Sequence, residues 1–302
     1  MKNVLITGGT GFIGRSLAKE LSNSGYSVSL LTRGESRGGA IKSYHWDPEN
    51  SHIDPEALKG VDIIIHLAGV NISGVRWSRE GKREIVESRV KSADFLRERL
   101  KLEGTHPELF ISASATGYYG AITTDKIFDE SSEPSGDFLA ETCVRWEESA
   151  LRFKELGCRV VCIRTGIVLS SKGGALPKMA LPVKYFAAAA PGPGTQYIPW
   201  IHIDDLTGIY KKAVADPEME GAYNAVADEQ VTMKEFYNTL SRSMNRKLYL
   251  PPVPPFILKL VLGEMALMLT EGSRVSNEKI RCAGYNFRYP VLDGALSNIL
   301  KG

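Results

Sequence analysis

The chain has 302 residues, 43% hydrophobic and 24% charged, the balance of an ordinary globular protein with room for one large or two smaller domains. Its 37 basic and 35 acidic residues leave a formal net charge of +2, which gives no sign of a nucleic-acid or anionic-membrane partner. The longest apolar patch, Pro254–Leu269, is broken by Lys259, Gly263 and Glu264, and the N-terminal apolar run is too short for a signal peptide, so a cytoplasmic protein without a membrane span is expected. Cys143, Cys158, Cys162 and Cys282 contain no C-x-x-C pair; they read as small buried hydrophobes in a reducing compartment, with no metal site or disulfide framework.

The first element is a strand at Val4–Thr7 that enters the glycine-rich turn Gly8-Gly9-Thr10-Gly11 and then the helix opened by Phe12-Ile13-Gly14. Gly8, Gly11 and Gly14 repeat as G-x-x-G-x-x-G. Such a turn needs glycine for tight chain reversal, for close approach of the backbone to a pyrophosphate and for close packing of helix on strand. The free N–H groups at the helix start then face the anion. Ser27–Thr32 reads as a second strand. Asp62–Leu67 is a continuous apolar run, as expected for a parallel strand covered on both faces.

Ser78–Leu102 is a charged amphipathic helix, and Leu109–Ser114 another buried strand. Phe138–Leu156 carries Leu139, Cys143, Trp146, Ala150 and Phe153 at helical spacing, and Arg159–Leu169 is a further strand. This alternation predicts an α/β fold: an NAD(P)-binding Rossmann fold with a doubly wound parallel sheet over residues 1–170. Residues 171–199 are rich in Gly, Pro and Ala, with the run Ala187–Ala190 ahead of Pro191-Gly192-Pro193-Gly194; they read as a lid or substrate-side excursion, with a functionless surface excursion as the other reading. Residues 200–229 return to the core, with a strand at Trp200–Asp205, a helix at Leu206–Ala215, and Asp204 or Asp205 as N-cap. Residues 230–302 read as a small, mostly helical C-terminal domain.

An NAD-type site places an acidic residue at the end of the second strand to hold the ribose 2′-hydroxyl. Here Thr32-Arg33-Gly34 stands there. Arginine suits a 2′-phosphate, through the bidentate contacts of its planar fork, so NADP(H) is preferred. Arg37 could assist, and the nearby Glu35 keeps NAD(H) as the alternative.

Four segments, in order, resemble the extended short-chain dehydrogenase/reductase superfamily of NAD(P)-dependent epimerases and dehydratases. They are Thr7–Gly14, His66-Leu67-Ala68-Gly69, Ile111-Ser112-Ala113-Ser114 leading to Tyr118-Tyr119-Gly120, and Trp200–Asp205. Ser112–Gly120, the helix Leu139–Glu147, Pro254-Pro255-Phe256, Leu262–Met265 and Gly284–Pro290 resemble one subgroup, the "epimerase family" proteins with a C-terminal domain of unknown function, often labelled cell-division-inhibitor-like. The resemblance implies cofactor contacts from Gly8, Thr10, Gly11, Phe12, Ile13, Gly14, Asp47, Leu67, Ala68, Gly69, Ser112 and Arg164. Superfamily members often form homodimers through the helices at 80–102 and 138–156, where Trp146 and Phe153 suit either core or interface.

Superfamily chemistry uses a Tyr-x-x-x-Lys pair, in which the lysine lowers the tyrosine pKa for proton transfer. None of the 12 tyrosines here has a lysine four residues later; Leu139 and Cys143, or Phe138 and Thr142, hold those places. Ser114 matches the superfamily's active-site hydroxyl, and Tyr118 and Tyr119 follow it, so these three are the catalytic candidates, the tyrosines also suiting packing beside a nicotinamide. His202, in an apolar strand, reads as a core histidine before a base, Glu141 as a solvated residue, and Arg76-Trp77 as either a grip on an anionic or planar substrate or simple Trp burial. Two functions follow. One is an NADP(H)-dependent oxidoreductase or epimerase-like enzyme for a small carbonyl, hydroxyl or nucleotide-linked substrate. The other is a catalytically silent NADPH-binding sensor or regulator; the glycine spacing argues against a scaffold without nucleotide.

Overall fold

The computed structural model describes residues 1–185, 189–246 and 250–301. β1 (Asn3–Thr7) passes through the glycine turn into α1 (Phe12–Asn23), followed by β2 (Ser27–Thr32), β3 (Lys42–Asp47), the short β4 (His52–Ile53) and β5 (Ile63–His66). Next come α2 (Arg79–Glu103), β6 (Leu109–Ala115), β7 (Ile127–Phe128), α3 (Phe138–Leu151), β8 (Arg159–Thr165) and β9 (Ile167–Leu169). They are followed by α4 (Leu176–Lys184), β10 (Tyr197–Ile198), β11 (Trp200–His202), α5 (Ile203–Ala215) and β12 (Gly221–Ala225). The chain then forms β13 (Val231–Thr232), α6 (Met233–Ser243), α7 (Pro255–Leu262), α8 (Leu267–Thr270), β14 (Arg274–Val275), α9 (Glu278–Cys282) and α10 (Leu292–Lys301).

Eight strands join in one sheet in the order β12-β8-β6-β5-β1-β2-β3-β4. β1 pairs in parallel with β2 and β5, β2 with β3, and β5 with β6, while β4 is antiparallel to β3. The chain builds outward from β1 to β3, returns to β5 and builds the other way. This is the doubly wound Rossmann order, whose switch point lies between β1 and β5.

The chain divides into two units. The first comprises Met1–Ser114, Thr142–Ile163 and Thr207–Ala222. Its core packs Leu5, Leu31, Ile64 and Phe110 of the sheet against Leu96 and Leu100 of α2 and Phe153. Phe110 and Phe153 stack with ring centroids 3.6 Å apart, and Trp146 is also buried within this chain. α2 begins where the Ser78 hydroxyl accepts the Gly81 N–H at 3.2 Å and stops at Gly104, whose φ of 62° ends the helix in the left-handed region.

The second unit comprises Ala115–Glu141, Arg164–Leu206 and Tyr223–Gly302. Its main core joins Trp200, Phe236, Leu240, Leu292, Leu296 and Ile299. Thr232 and Glu235 form a reciprocal capping box at the start of α6.

Several expectations change. The strand expected over Arg159–Leu169 breaks at Gly166, whose N–H turns to Ala225 O and where a Cβ would meet Pro199 O at 2.7 Å. The helix expected over Phe138–Leu156 is α-helical to Leu151 and tightens to a 3₁₀ turn at Arg152–Leu156. Asp204 and Asp205 are not N-caps: α5 starts at Ile203, and both lie inside its first turn. Asp205 is 1% exposed, and its carboxylate accepts the N–H groups of Arg288 (2.7 Å) and Tyr289 (2.9 Å) and the Tyr285 hydroxyl (3.1 Å), anchoring the C-terminal segment. Within 171–199 the chain forms α4 and β10; Ala187 and Ala188 of the alanine run lie outside the described residues.

Candidate functional site

Parallel register aligns the strand ends. Thr7 of β1 stands beside Leu31 of β2 and His66 of β5, and His66 beside Ser112 of β6. The segments that follow, Gly8–Gly14, Arg33, Leu67–Gly69 and Ser114, therefore share the C-terminal edge of the sheet, where open α/β folds bind ligands.

The Thr7 side chain ties two of these ends together. Its Oγ1 accepts the N–H groups of Leu67 and Ala68, both at 3.1 Å, and lies 2.9 Å from His66 Nδ1. With its lone pairs taken by amides, the hydroxyl proton goes to Nδ1, leaving the His66 proton on Nε2, which faces Ser92 Oγ at 3.2 Å. Full burial pushes His66 down to about 4, so the ring is neutral and structural.

The glycine turn is sterically closed to other residues. Gly8 has φ of 65°, and its Cβ would meet Leu67 O at 2.8 Å. A Cβ on Gly14 would stand 2.4 Å from Gly8 O. Gly11 is the N-cap of α1 and supplies no side-chain cap, so no side-chain oxygen competes for the first-turn amides. Thr10 and Gly11 are exposed at this edge, and Phe12 and Ile13 are half-buried.

Arg33 is exposed just past β2 and makes no ion pair among the described residues. Asp47 ends β3. Its carboxylate is engaged by its own turn, accepting Asn50 Nδ2 at 2.7 Å and the Glu49 N–H at 3.1 Å, and the Asn50 contact lowers its pKa. Ser112 is fully buried and donates to Ala113 O.

Two residues here escaped the sequence reading. Arg89 of α2 is 9% exposed, donates to Ile85 O (2.7 Å) and Val70 O (3.1 Å), and lies 4.8 Å from the Trp146 ring centroid. No carboxylate lies within ion-pairing distance of it among the described residues, and burial lowers its pKa. It presses on Gly69, where a Cβ would meet the guanidinium carbon at 3.1 Å. The second is Glu147 of α3. The Ser114 hydroxyl donates to Glu147 Oε1 at 2.6 Å, with the residues 3% and 8% exposed. The donor set of this edge, an uncapped helix start, Arg33 and a buried guanidinium, fits a dinucleotide phosphate group.

Tyr118, Tyr119 and Arg164 belong to the second unit. Arg164 is 4% exposed and stacks its guanidinium 3.4 Å from the Tyr118 ring centroid. Tyr119 is fully buried; its hydroxyl donates to Asn224 Oδ1 at 2.7 Å and accepts from Arg164 Nη1 at 3.1 Å. Burial pushes this phenol up to about 12, far from general-base range. Glu130, raised by burial, accepts the Asn224 N–H at 2.7 Å. His202 is buried and stacks on Tyr289 with ring centroids 3.9 Å apart, and burial lowers its pKa, as fits a core histidine. An open cleft of about 430 Å³ in this unit is lined by Thr123, Asp125, Thr195, Tyr197, Thr232 and Lys234 among others.

A Rossmann sheet with a glycine-rich first turn places the chain among dinucleotide-binding α/β proteins. Residues 4–226 match the NAD dependent epimerase/dehydratase family, and residues 253–299 match a domain of unknown function, DUF1731. The chain belongs to the NAD dependent epimerase/dehydratase family, as its motifs led one to expect. It is 36% identical to the epimerase family protein YfhF of Bacillus subtilis, over 99% of this chain and 98% of that one. It is 35% identical to the chloroplastic SDR39U1 homologue of Arabidopsis thaliana, over 99% of this chain and 86% of the relative. Its fold superposes on the crystal structure of human SDR39U1 (isoform 2) with NADPH at a TM-score of 0.90 and 32% identity, covering 99% of each chain.

Proposed function

We propose that this chain is an NADP(H)-dependent oxidoreductase or epimerase-like enzyme acting on a small carbonyl, hydroxyl or nucleotide-linked substrate. The observation that carries the cofactor choice is Arg33, exposed and without an ion pair among the described residues where an NAD site sets an acid. Arg33 would hold the 2′-phosphate, the turn Gly8–Gly14 the pyrophosphate, and Leu67–Gly69 the adjoining face of the nucleotide, with Asp47 and Ser112 nearer its two ends. The buried Arg89 would supply a further cation beside Gly69. A human relative crystallised with NADPH supports the same choice. When bound, the nicotinamide supplies or accepts hydride; Ser114 would hydrogen-bond the substrate oxygen.

In the second unit, Arg164 would orient Tyr118 by stacking, and Tyr119 serves as a fixed support for Arg164. The hydroxyl-lined cleft with Thr195 and Tyr197 supports a substrate-side role for the segment 171–199. Among the described residues no helix is long and apolar enough to cross a membrane, and none of the four cysteines is in a disulfide, which suits a reducing compartment such as the cytoplasm.

The absence of a Tyr-x-x-x-Lys pair, whose places Leu139 and Cys143 or Phe138 and Thr142 hold, favours the second reading, an NADPH-occupied sensor. Deuteride transfer separates the two. Protein given NADPH deuterated at either face of nicotinamide C4 is mixed with a small-molecule cell extract, and metabolites are scanned by mass spectrometry. A labelled product supports the enzyme; bound NADPH with no labelled product contradicts it and leaves the sensor.

A further inference from the structure

We propose that Ser114 and Glu147 form the proton-transfer pair of this chain, Glu147 acting through the serine as the residue that takes up and returns the proton. This rests on the reading of the chain as a hydride-transfer enzyme.

The geometry carries it. Ser114 is the last residue of the first unit's span of β6, at the C-terminal edge of the sheet, two residues past the Ser112 that pairs with His66. Its hydroxyl is 2.6 Å from Glu147 Oε1, within the short range of charge-assisted O–H···O⁻ bonds. Both residues are more than nine-tenths buried. A carboxylate is costly to bury and would be simpler to replace by an apolar residue if packing alone were needed. Glu147 also follows Leu139 and Cys143 at successive four-residue steps, so it shares a face of α3 with the first of the two pairs, Leu139 and Cys143 or Phe138 and Thr142, that stand where the superfamily carries Tyr and Lys. A serine hydroxyl alone is too weak an acid and base for this work; an adjacent carboxylate makes it a relay.

In the oxidative direction the substrate C–H bond gives its electron pair and hydrogen to the oxidised nicotinamide cofactor. The substrate O–H bond breaks, and its proton passes to Ser114 Oγ. The serine O–H bond breaks in turn, and that proton ends on Glu147 Oε1. The alcohol thus loses two electrons and two hydrogens and becomes a carbonyl. Reduction runs each transfer backwards.

The test compares wild type, Glu147→Gln, Glu147→Asp and Ser114→Ala in three measurements. In cofactor-free protein, the Glu147 carboxylate stretch is isolated by infrared difference against Glu147→Gln, and it should shift when Ser114 becomes Ala; an unchanged band overturns the pair. NADPH affinity, read by nicotinamide fluorescence, should stay within about threefold for all variants. Deuteride transfer from C4-deuterated NADPH to a metabolite extract should fall about 100-fold or more in Glu147→Gln and Ser114→Ala, within the range of general acid–base effects. Glu147→Asp should recover part of it. Transfer by Glu147→Gln within threefold of wild type overturns the proposal while leaving the enzyme reading intact. Absence of transfer by wild type itself overturns the enzyme reading, and this proposal with it.

Discussion

Thr7 Oγ1 and His66 Nδ1 meet 2.9 Å apart, locking the ends of β1 and β5 together beneath the glycine turn. The lock works only while the ring is neutral, because Nδ1 must accept. Unfolded, His66 titrates near 6.5; folded, burial holds it at about 4. Between those values the unfolded chain binds the extra proton, so stability falls as pH drops from about 6.5 towards 4. The ceiling on this loss is about 3 kcal/mol. Urea unfolding across that window should show the decline in wild type and a flatter profile in His66→Gln. Parallel profiles would contradict the assignment, since His202, also lowered by burial, contributes equally to both proteins.

Gly14→Ala should damage the turn from beneath. Its Cβ would meet Gly8 O at 2.4 Å, and the obstacle is backbone that has no rotamer to change. A loss of about 1–3 kcal/mol in stability is expected, together with weakened nucleotide binding. Thermal unfolding and nicotinamide fluorescence measure both; unaltered values in each would show that the helix can retreat.

Arg89→Met should separate fold from ligand. Removing a buried unpaired charge relieves desolvation, although Ile85 O and Val70 O lose their donor. The expected result is a modest change in Tm with at least a tenfold loss of NADPH affinity. Full affinity in the variant would assign Arg89 to packing against Trp146.

Tyr119→Phe should act on stability. The lost hydroxyl bridges Asn224 and Arg164 in a fully buried setting, worth about 1–3 kcal/mol. Tyr118→Phe keeps the ring beneath Arg164 and should unfold close to wild type. Comparable destabilisation of the two in chemical denaturation would overturn this distinction.

The first βαβ unit was legible because its signals are local: apolar Val4–Ile6, three spaced glycines, and α1 packing Leu17, Ala18 and Leu21. β3 was not, because Lys42–Asp47 offers only Tyr44 and Trp46 on one face, and polar residues between them. β12 was missed for a similar reason: Gly221-Ala-Tyr-Asn-Ala is short and holds one large apolar side chain. Glu147 looked like any acid on a charged helix, since its partner Ser114 is 33 residues away. Arg89 was hidden among the many charges of α2, and only packing reveals it as buried. Asp204 or Asp205 reads as a cap from the sequence, because the groups that Asp205 serves lie 80 or more positions later. Pattern reading finds periodicity and turns; it does not find a buried polar pair closed by tertiary contact.

The most direct test of the account is the cofactor preference set by Arg33. Fluorescence titrations of wild type and Arg33→Asp with NADPH and NADH should give tighter NADPH binding by wild type. The variant should lose about tenfold or more for NADPH, with little change for NADH, since it removes a phosphate partner and adds a like charge. Equal losses for both nucleotides, or tighter binding of NADH by wild type, would contradict the assignment of an NADP(H) site at the end of β2.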